Sequence, residues 1–418
     1  MHRMPFSFAF STSQDGQRVH MMKTNDEMIL VSEEAQIGIL RIRFMISRHK
    51  AAESDGFDMT IDWKEGRRVY FAAANAAGGF VSQFGGLFSA ESGAWDKIYI
   101  IKGGPGTGKS RLMHDVARYA EDKGYSVEYF LCSSDSDSLD GIRIPACGIA
   151  MLDGTAPHTM DPHYPGAVEE ILNMGMFFDT RILHEKLPEI RKLQEENGAA
   201  HRLAARYLRA AGDIREGQKH IAANSFLAEK AERAACRLLA PCKKEAARTW
   251  EERYLSAIST KGVVHLSTAR QEARHFVPVT DKRGTAVFFL NTLWETCRRM
   301  GISAVRYVTP LCPKETEGVY LCDTGVLYYS DRYGEGADAE KRINTDRFFD
   351  MERFGQHREK YRFAGKCVAA LLEGACEALA EAGRVHDALE AHYISAMDFA
   401  SKEAFTDRFQ SSLFSNTL

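Results

Sequence analysis

The chain has 418 residues, 44% of them hydrophobic and 27% charged, with a formal net charge of −3. These values suit an ordinary globular protein with room for two or three domains, and they forecast neither nucleic acid nor an acidic membrane as partner. No stretch approaches the roughly 18 apolar residues of a spanning helix, and the nine cysteines form no C-x-x-C pair; a reducing, cytoplasmic setting is expected, without a zinc or redox centre.

Residues 1–66 read as an N-terminal extension, with apolar runs such as IGILRIRFMI (37–46) amid polar sequence. The apolar run of MHRMPFSFAF is too short for a secretory signal. RRVYFAAA (67–74) predicts the first strand, and NAAGG (75–79) a tight approach of backbone to sheet or nucleotide. KIYIIK (97–102) then reads as a buried parallel strand. It runs into GGPGTGKS, in which Gly103, Gly108, Lys109 and Ser110 satisfy G-x-x-x-x-G-K-[ST]. Leu112, Val116, Tyr119 and Ala120 follow at helical spacing, with Gly124 placed to end that helix.

Strand, glycine loop and helix are the context this motif requires. Residues Gly103, Gly104, Pro105, Gly106, Thr107, Gly108, Lys109 and Ser110 are therefore the candidate nucleotide-binding set. Glycines let successive N–H groups turn inward on a phosphate, and the helix N-terminus adds its positive dipole end. Lys109 would reach the β- and γ-phosphates of ATP, and the Ser110 hydroxyl would ligate Mg²⁺.

Magnesium also needs a carboxylate at the end of a neighbouring strand. YSVEYFL (125–131) and CGIAML (147–152) read as the second and third strands, and the third ends in Asp153, the expected metal carboxylate. The following residue is Gly154, where many ATP-hydrolysing motors carry a Glu that polarises water. A general base would have to come from the loops. Asp135 and Asp137 (with Asp140) after strand two, and His158 (with Asp161 and His163) after strand three, are the candidates.

From Phe178 to about Ser256 the chain is alternately charged and apolar, with Leu183, Leu187, Ile190 and Leu193 at helical spacing. This predicts a helical hairpin over about 178–253, offering a surface to a protein partner. Beyond it the pattern repeats. Gly124 and Gly301 are 177 residues apart, and the same offset lays KIYIIK on RHFVPV (274–279) and the apolar positions Leu112, Met113, Val116, Ala117 and Ala120 on Phe289, Leu290, Leu293, Trp294 and Cys297. After strand three the offset becomes 171, bringing FFD (177–179) onto FFD (348–350) and Gly212 onto Gly383. The proposed ligands do not repeat. Lys109 falls on Ala286, Ser110 on Val287, Asp153 on Ser330, Asp135 on Cys312 and Asp137 on Lys314.

The expected architecture is thus α/β, a P-loop NTPase fold in tandem. Copy one spans 67–253, a degenerate copy two spans 254–418, and helical appendages close each. The chain resembles an uncharacterised bacterial family of duplicated P-loop proteins described as ATPases or ATP-binding proteins. The likeness lies in FAAANAAGGFVS, YIIKGGPGTGKS, CSSDSDSLDG, MLDGTAPHTMDPHYPGAVEEI and HYISAMDF, and covers about 67–418. The resemblance implies ATP binding and a cytoplasmic P-loop fold; members tend to carry a phosphate loop in both halves, whereas here the second is degenerate. Three activities fit these residues: an Mg²⁺-dependent ATPase acting as a conformational switch, a small-molecule or nucleotide kinase, and a non-catalytic ATP-binding module.

Overall fold

The computed structural model describes residues 19–23, 28–32, 67–243, 249–281, 283–333 and 339–414. The chain divides into two units, Met1–Met59 and Thr60–Leu418. In the first, β1 (Val19–Lys23) pairs antiparallel with β2 (Met28–Ser32). The rest of the 1–66 extension, IGILRIRFMI included, lies outside the described residues.

The second unit opens with β3 (Arg68–Phe71), a hairpin of β4 (Ala73–Ala76) and β5 (Gly79–Ser82), and the short helix α1 (Phe84–Leu87). The strand expected over 67–74 is therefore two strands, broken at a bend at Ala72. The run YFAAA is buried throughout, so no alternation marks where one sheet ends and the next begins. NAAGG forms the turn of the hairpin, and Ala77 rests on the helix at Gly212, where an added Cβ would come within 2.2 Å of the Ala77 Cβ.

Next come β6 (Lys97–Lys102), α2 (Lys109–Asp122), β7 (Glu128–Leu131), β8 (Leu139–Ile144), β9 (Ile149–Asp153) and β10 (Glu169–Asn173). The sheet order is β10-β6-β9-β8-β7-β3; β6 runs parallel to β9 and β10, β3 runs parallel to β7, and β8 opposes both of its neighbours. The antiparallel β8 stands between β7 and β9, the strands read from the sequence as the second and third. Its segment LDGIRI is wholly buried although it carries Asp140 and Arg143.

After α3 (Thr180–Glu185), α4 (Leu187–Ala223) and α5 (Ala228–Leu239), a second sheet is built from the same parts. These are β11 (Trp250–Arg253), the hairpin β12 (Ser256–Ser259) and β13 (Gly262–His265), α6 (Thr268–Glu272), β14 (His275–Val279), α7 (Ala286–Met300), β15 (Ala304–Val308), β16 (Thr316–Leu321) and β17 (Val326–Ser330). Its order, β11-β15-β16-β17-β14, repeats β3-β7-β8-β9-β6 of the first sheet sense for sense; among the described residues β10, the sixth strand there, has no counterpart. This sheet begins at Trp250 rather than at 254. The two sheets meet edge to edge, where Phe71 and Tyr254 exchange backbone hydrogen bonds of 2.9 and 3.0 Å. Beneath that seam Glu128 and Arg143 of the first half interlock with Glu251 and Arg253 of the second, with Arg253 Nη1 donating to Glu128 Oε1 at 3.2 Å.

α8 (Met351–Gly355), α9 (Arg358–Ile394) and α10 (Phe399–Leu413) complete the unit. The hairpin expected over 178–253 does not form. α4 and α9, each of 37 residues, lie antiparallel against one another through Ala204, Leu208, Ala211, Ala375, Ala378 and Leu379. The short helix after each then packs on the opposite half: α5 joins the core of α7, and α10 reaches the first sheet, where Phe409 meets Tyr99 edge-on at 5.0 Å. The crossings are reciprocal. Asp179 N and Asp398 N donate to Ala396 O and Phe177 O, while Asp350 N and Leu227 N donate to Ser225 O and Phe348 O. Helical periodicity shows that a helix has an apolar face but not which helix covers it. Among the described residues no helix is long and apolar enough to cross a membrane.

Candidate functional site

β6 and β9 are neighbouring parallel strands, with Ile101 opposite Asp153. The loop leaving β6 and the carboxylate ending β9 therefore emerge side by side at one edge of the sheet. α2 is held over that sheet by Leu112, Met113, Val116, Ala117 and Ala120, all fully buried, and stops at Gly124, whose φ of +86° suits glycine. Burial of each large apolar side chain contributes about 1.5–3 kcal/mol, enough to fix where the helix starts.

Within the loop Gly106 and Gly108 take φ of +67° and +76°. Thr107 is fully buried and its Oγ1 donates to Gly104 O at 2.9 Å, closing the turn. Among the described residues no acceptor is found for the backbone N–H groups from Gly106 to Ser110. Such a run of open donors at a helix N-terminus is a ready anion site. Lys109 lies folded over it: Nζ donates to Gly104 O at 2.9 Å and Gly103 O at 3.2 Å, and stands 3.6 Å from Asp153 Oδ2. Asp153 Oδ1 accepts from Thr155 N at 2.8 Å and from its hydroxyl at 2.6 Å, which aims the carboxylate. Ser110 Oγ accepts from Leu139 N at 2.9 Å. Ser110 and Asp153 supply the hydroxyl and carboxylate oxygens that hard Mg²⁺ prefers.

The candidate bases have partners of their own. His158 is buried, its Nε2 3.0 Å from Asp140 Oδ2, and its ring lies 4.8 Å from both Phe80 and Phe84. Asp135 and Asp137 are exposed and face Lys261 on the β12–β13 turn. Asp161 pairs with Lys102, which also donates to Gly154 O and Met160 O and so pins the loop after β9. His163 is exposed beside Glu91. Gly154 itself sits so close to the sheet that a Cβ there would meet Ile100 Cγ2 at 2.4 Å. A glutamate after Asp153 has no room.

The loop is covered by the far end of the chain. A Cβ on Gly104 would lie 3.3 Å from the Tyr393 ring, and one on Gly106 would lie 2.7 Å from Ile394 Cγ1 and 3.1 Å from Glu390 Cγ. On the other side Lys402 of α10 approaches Gly108. Tyr393 and Ile394 belong to HYISAMDF, so that stretch of the sequence is the lid over the loop. Sequence reasoning missed Glu390 and Lys402; the second had a signal, because the 171-residue offset sets Lys402 on Ala231.

In the second half the equivalent loop is filled from within. Asp281, which stands where the first loop has Gly104, accepts from Ala286 N at 2.8 Å through Oδ1 and from the Ser330 hydroxyl at 2.9 Å through Oδ2. Its side chain is only 3% exposed, and Arg332 Nε lies 3.6 Å from Oδ2. A carboxylate of the chain thus occupies the N-terminus of α7. A pocket of about 420 Å³ beside this loop is lined by Gln218, Arg283, Phe354, Arg358, Tyr361 and Arg362, away from the first loop. Comparison of the chain with protein-family profiles, with curated proteins and with solved structures found no match.

Proposed function

We propose that the chain is a tandem P-loop nucleotide-binding protein that takes one ATP·Mg²⁺ at the first loop, with Lys109 on the phosphates and Ser110 and Asp153 on the metal. The single observation that carries this reading is the run of N–H groups from Gly106 to Ser110 with no acceptor among the described residues, with Lys109 Nζ and Asp153 Oδ2 3.6 Å apart beside it. Open donors, a lysine and a carboxylate are the three parts that bind a β,γ-phosphate pair and its magnesium. Lys109 and the loop amides would stabilise charge as it develops on the transferred phosphoryl group, making the chain an ATPase that switches the contact of α9 and α10 with the loop.

A second reading, binding without turnover, is favoured by what surrounds the candidate bases. Gly154 excludes a glutamate, and His158, Asp135 and Asp137 are engaged by Asp140 and Lys261. Release of phosphate from γ-labelled ATP by the full chain with Mg²⁺, beside Lys109→Ala, separates the two. Release that the substitution abolishes supports the ATPase; ATP bound but not cleaved selects the second reading. ATP neither bound nor cleaved removes both.

A further inference from the structure

Lys402 is 5% exposed, and its ammonium has neither a hydrogen bond nor an ion pair among the described residues. Its Cε and Nζ lie 3.2 and 3.4 Å from the position a Cβ would take on Gly108, the residue that opens α2. The charged groups around it do not complete it. Asp115 attracts it, but that carboxylate is held by Arg111 at 2.9 and 3.0 Å and is approached by Arg118 at 3.9 Å; Arg111 itself repels the ammonium. Burial accordingly pushes Lys402 below the ordinary lysine value, with Asp115 and, more weakly, Glu403 drawing it partly back. An ammonium on a side chain this buried, without a partner, opposes folding, so replacing it with an apolar group is expected not to destabilise the protein.

The second half is an internal control. At the 171-residue offset Lys402 corresponds to Ala231 of α5, fully buried in the core that α5 forms with α7. The loop beside α7 is already filled by Asp281. The lysine stands at the open loop and the alanine at the closed one.

We infer that Lys402 is a nucleotide-contacting cation delivered from α10 to the first loop, where its ammonium binds phosphate oxygens of the nucleoside triphosphate beside the N–H groups at the start of α2. This deepens the nucleotide reading of the loop and rests on it. Because Lys402 arrives on a helix that follows the second half's α9, the nucleotide would tie the two halves together. By linkage, ATP favours docking of α10, and docking of α10 favours ATP to the same extent.

Calorimetric titration of ATP with Mg²⁺ into full-length wild-type protein, Lys109→Ala and Lys402→Met tests this, with the thermal midpoint of each unliganded protein measured alongside. The expected result is ATP binding about ten- to a hundredfold weaker in Lys402→Met, the range for a lost hydrogen bond to a charged group. Its unliganded midpoint would be equal to or above wild type; a purely structural lysine would lower that midpoint and leave affinity alone. Should Lys402→Met fail to fold, Lys402→Gln, which keeps a hydrogen-bonding tip without the charge, is titrated in its place and read the same way. ATP affinity within twofold of wild type in the folded variant overturns the inference while leaving the loop reading intact, provided that Lys109→Ala still abolishes binding. Wild-type protein that binds no ATP overturns both.

Discussion

Residues 103–110 and 280–287 leave equivalent strands and enter equivalent helices, but they solve the helix N-terminus in opposite ways. The first presents successive N–H groups with no acceptor among the described residues, overhung by Lys109 and approached by Lys402. The second puts Asp281 on Ala286 N, ties that carboxylate to Ser330, and places alanine and valine where the first has Lys109 and Ser110. A helix start must be satisfied by something. Where the chain provides its own anion, the ligand residues can be lost without cost to the fold; at the first loop no such anion is found among the described residues. The second loop therefore keeps its place between strand and helix and not the open donors.

The largest effect is expected from Lys109→Ala. Loss of a charge-assisted contact in a confined site is worth about 2–5 kcal/mol, so ATP affinity should fall by about a thousandfold, read by calorimetry. An unchanged affinity would mean that the open donors are not the binding site.

The next test asks whether the two halves act as one body through the seam between the sheets. Burial pushes the Glu251 carboxyl up, but Arg253 and Arg143 outweigh it and hold it down at about 2. A depressed carboxylate contributes stability that is fully present above its unfolded value of 4.5 and is lost as pH falls towards 2. On the order of 3 kcal/mol should disappear across that window in denaturant titrations, and Glu251→Gln should lose much of the dependence. A flat profile would contradict a seam held by shared charge.

The smallest effect is expected from Asp281→Ala. Removing the carboxylate at the start of α7 should cost about 1–2 kcal/mol of stability, the range for a lost helix cap. ATP affinity should be unaltered, since Ala286 offers no lysine to a second nucleotide. A gain of nucleotide binding in this variant would show the second loop to be masked rather than degenerate.

Much of the frame was legible in the sequence because duplicated cores conserve spacing. The 177-residue offset sets β6, α2, β7, β8 and β9 on β14, α7, β15, β16 and β17, and the 171-residue offset sets α4 on α9 from first residue to last. Lys109, Ser110 and Asp153 were likewise readable, since strand, loop and helix spacing places them together. The exchange of α5 and α10 between halves was not, because an apolar stripe does not name its partner. Nor was the fate of His158 and the loop aspartates: whether a polar loop residue faces the phosphates or a neighbour such as Asp140 or Lys261 depends on long-range packing. Asp281 could have been found by asking what replaces Gly104, and not only what replaces Lys109.

One open loop beside one closed by the chain itself predicts a single ATP per chain. Calorimetric titration of the full chain with ATP and Mg²⁺ should give one nucleotide per chain, lost in Lys109→Ala and kept in Asp281→Ala. Two nucleotides per chain, or one that survives Lys109→Ala, would contradict the account.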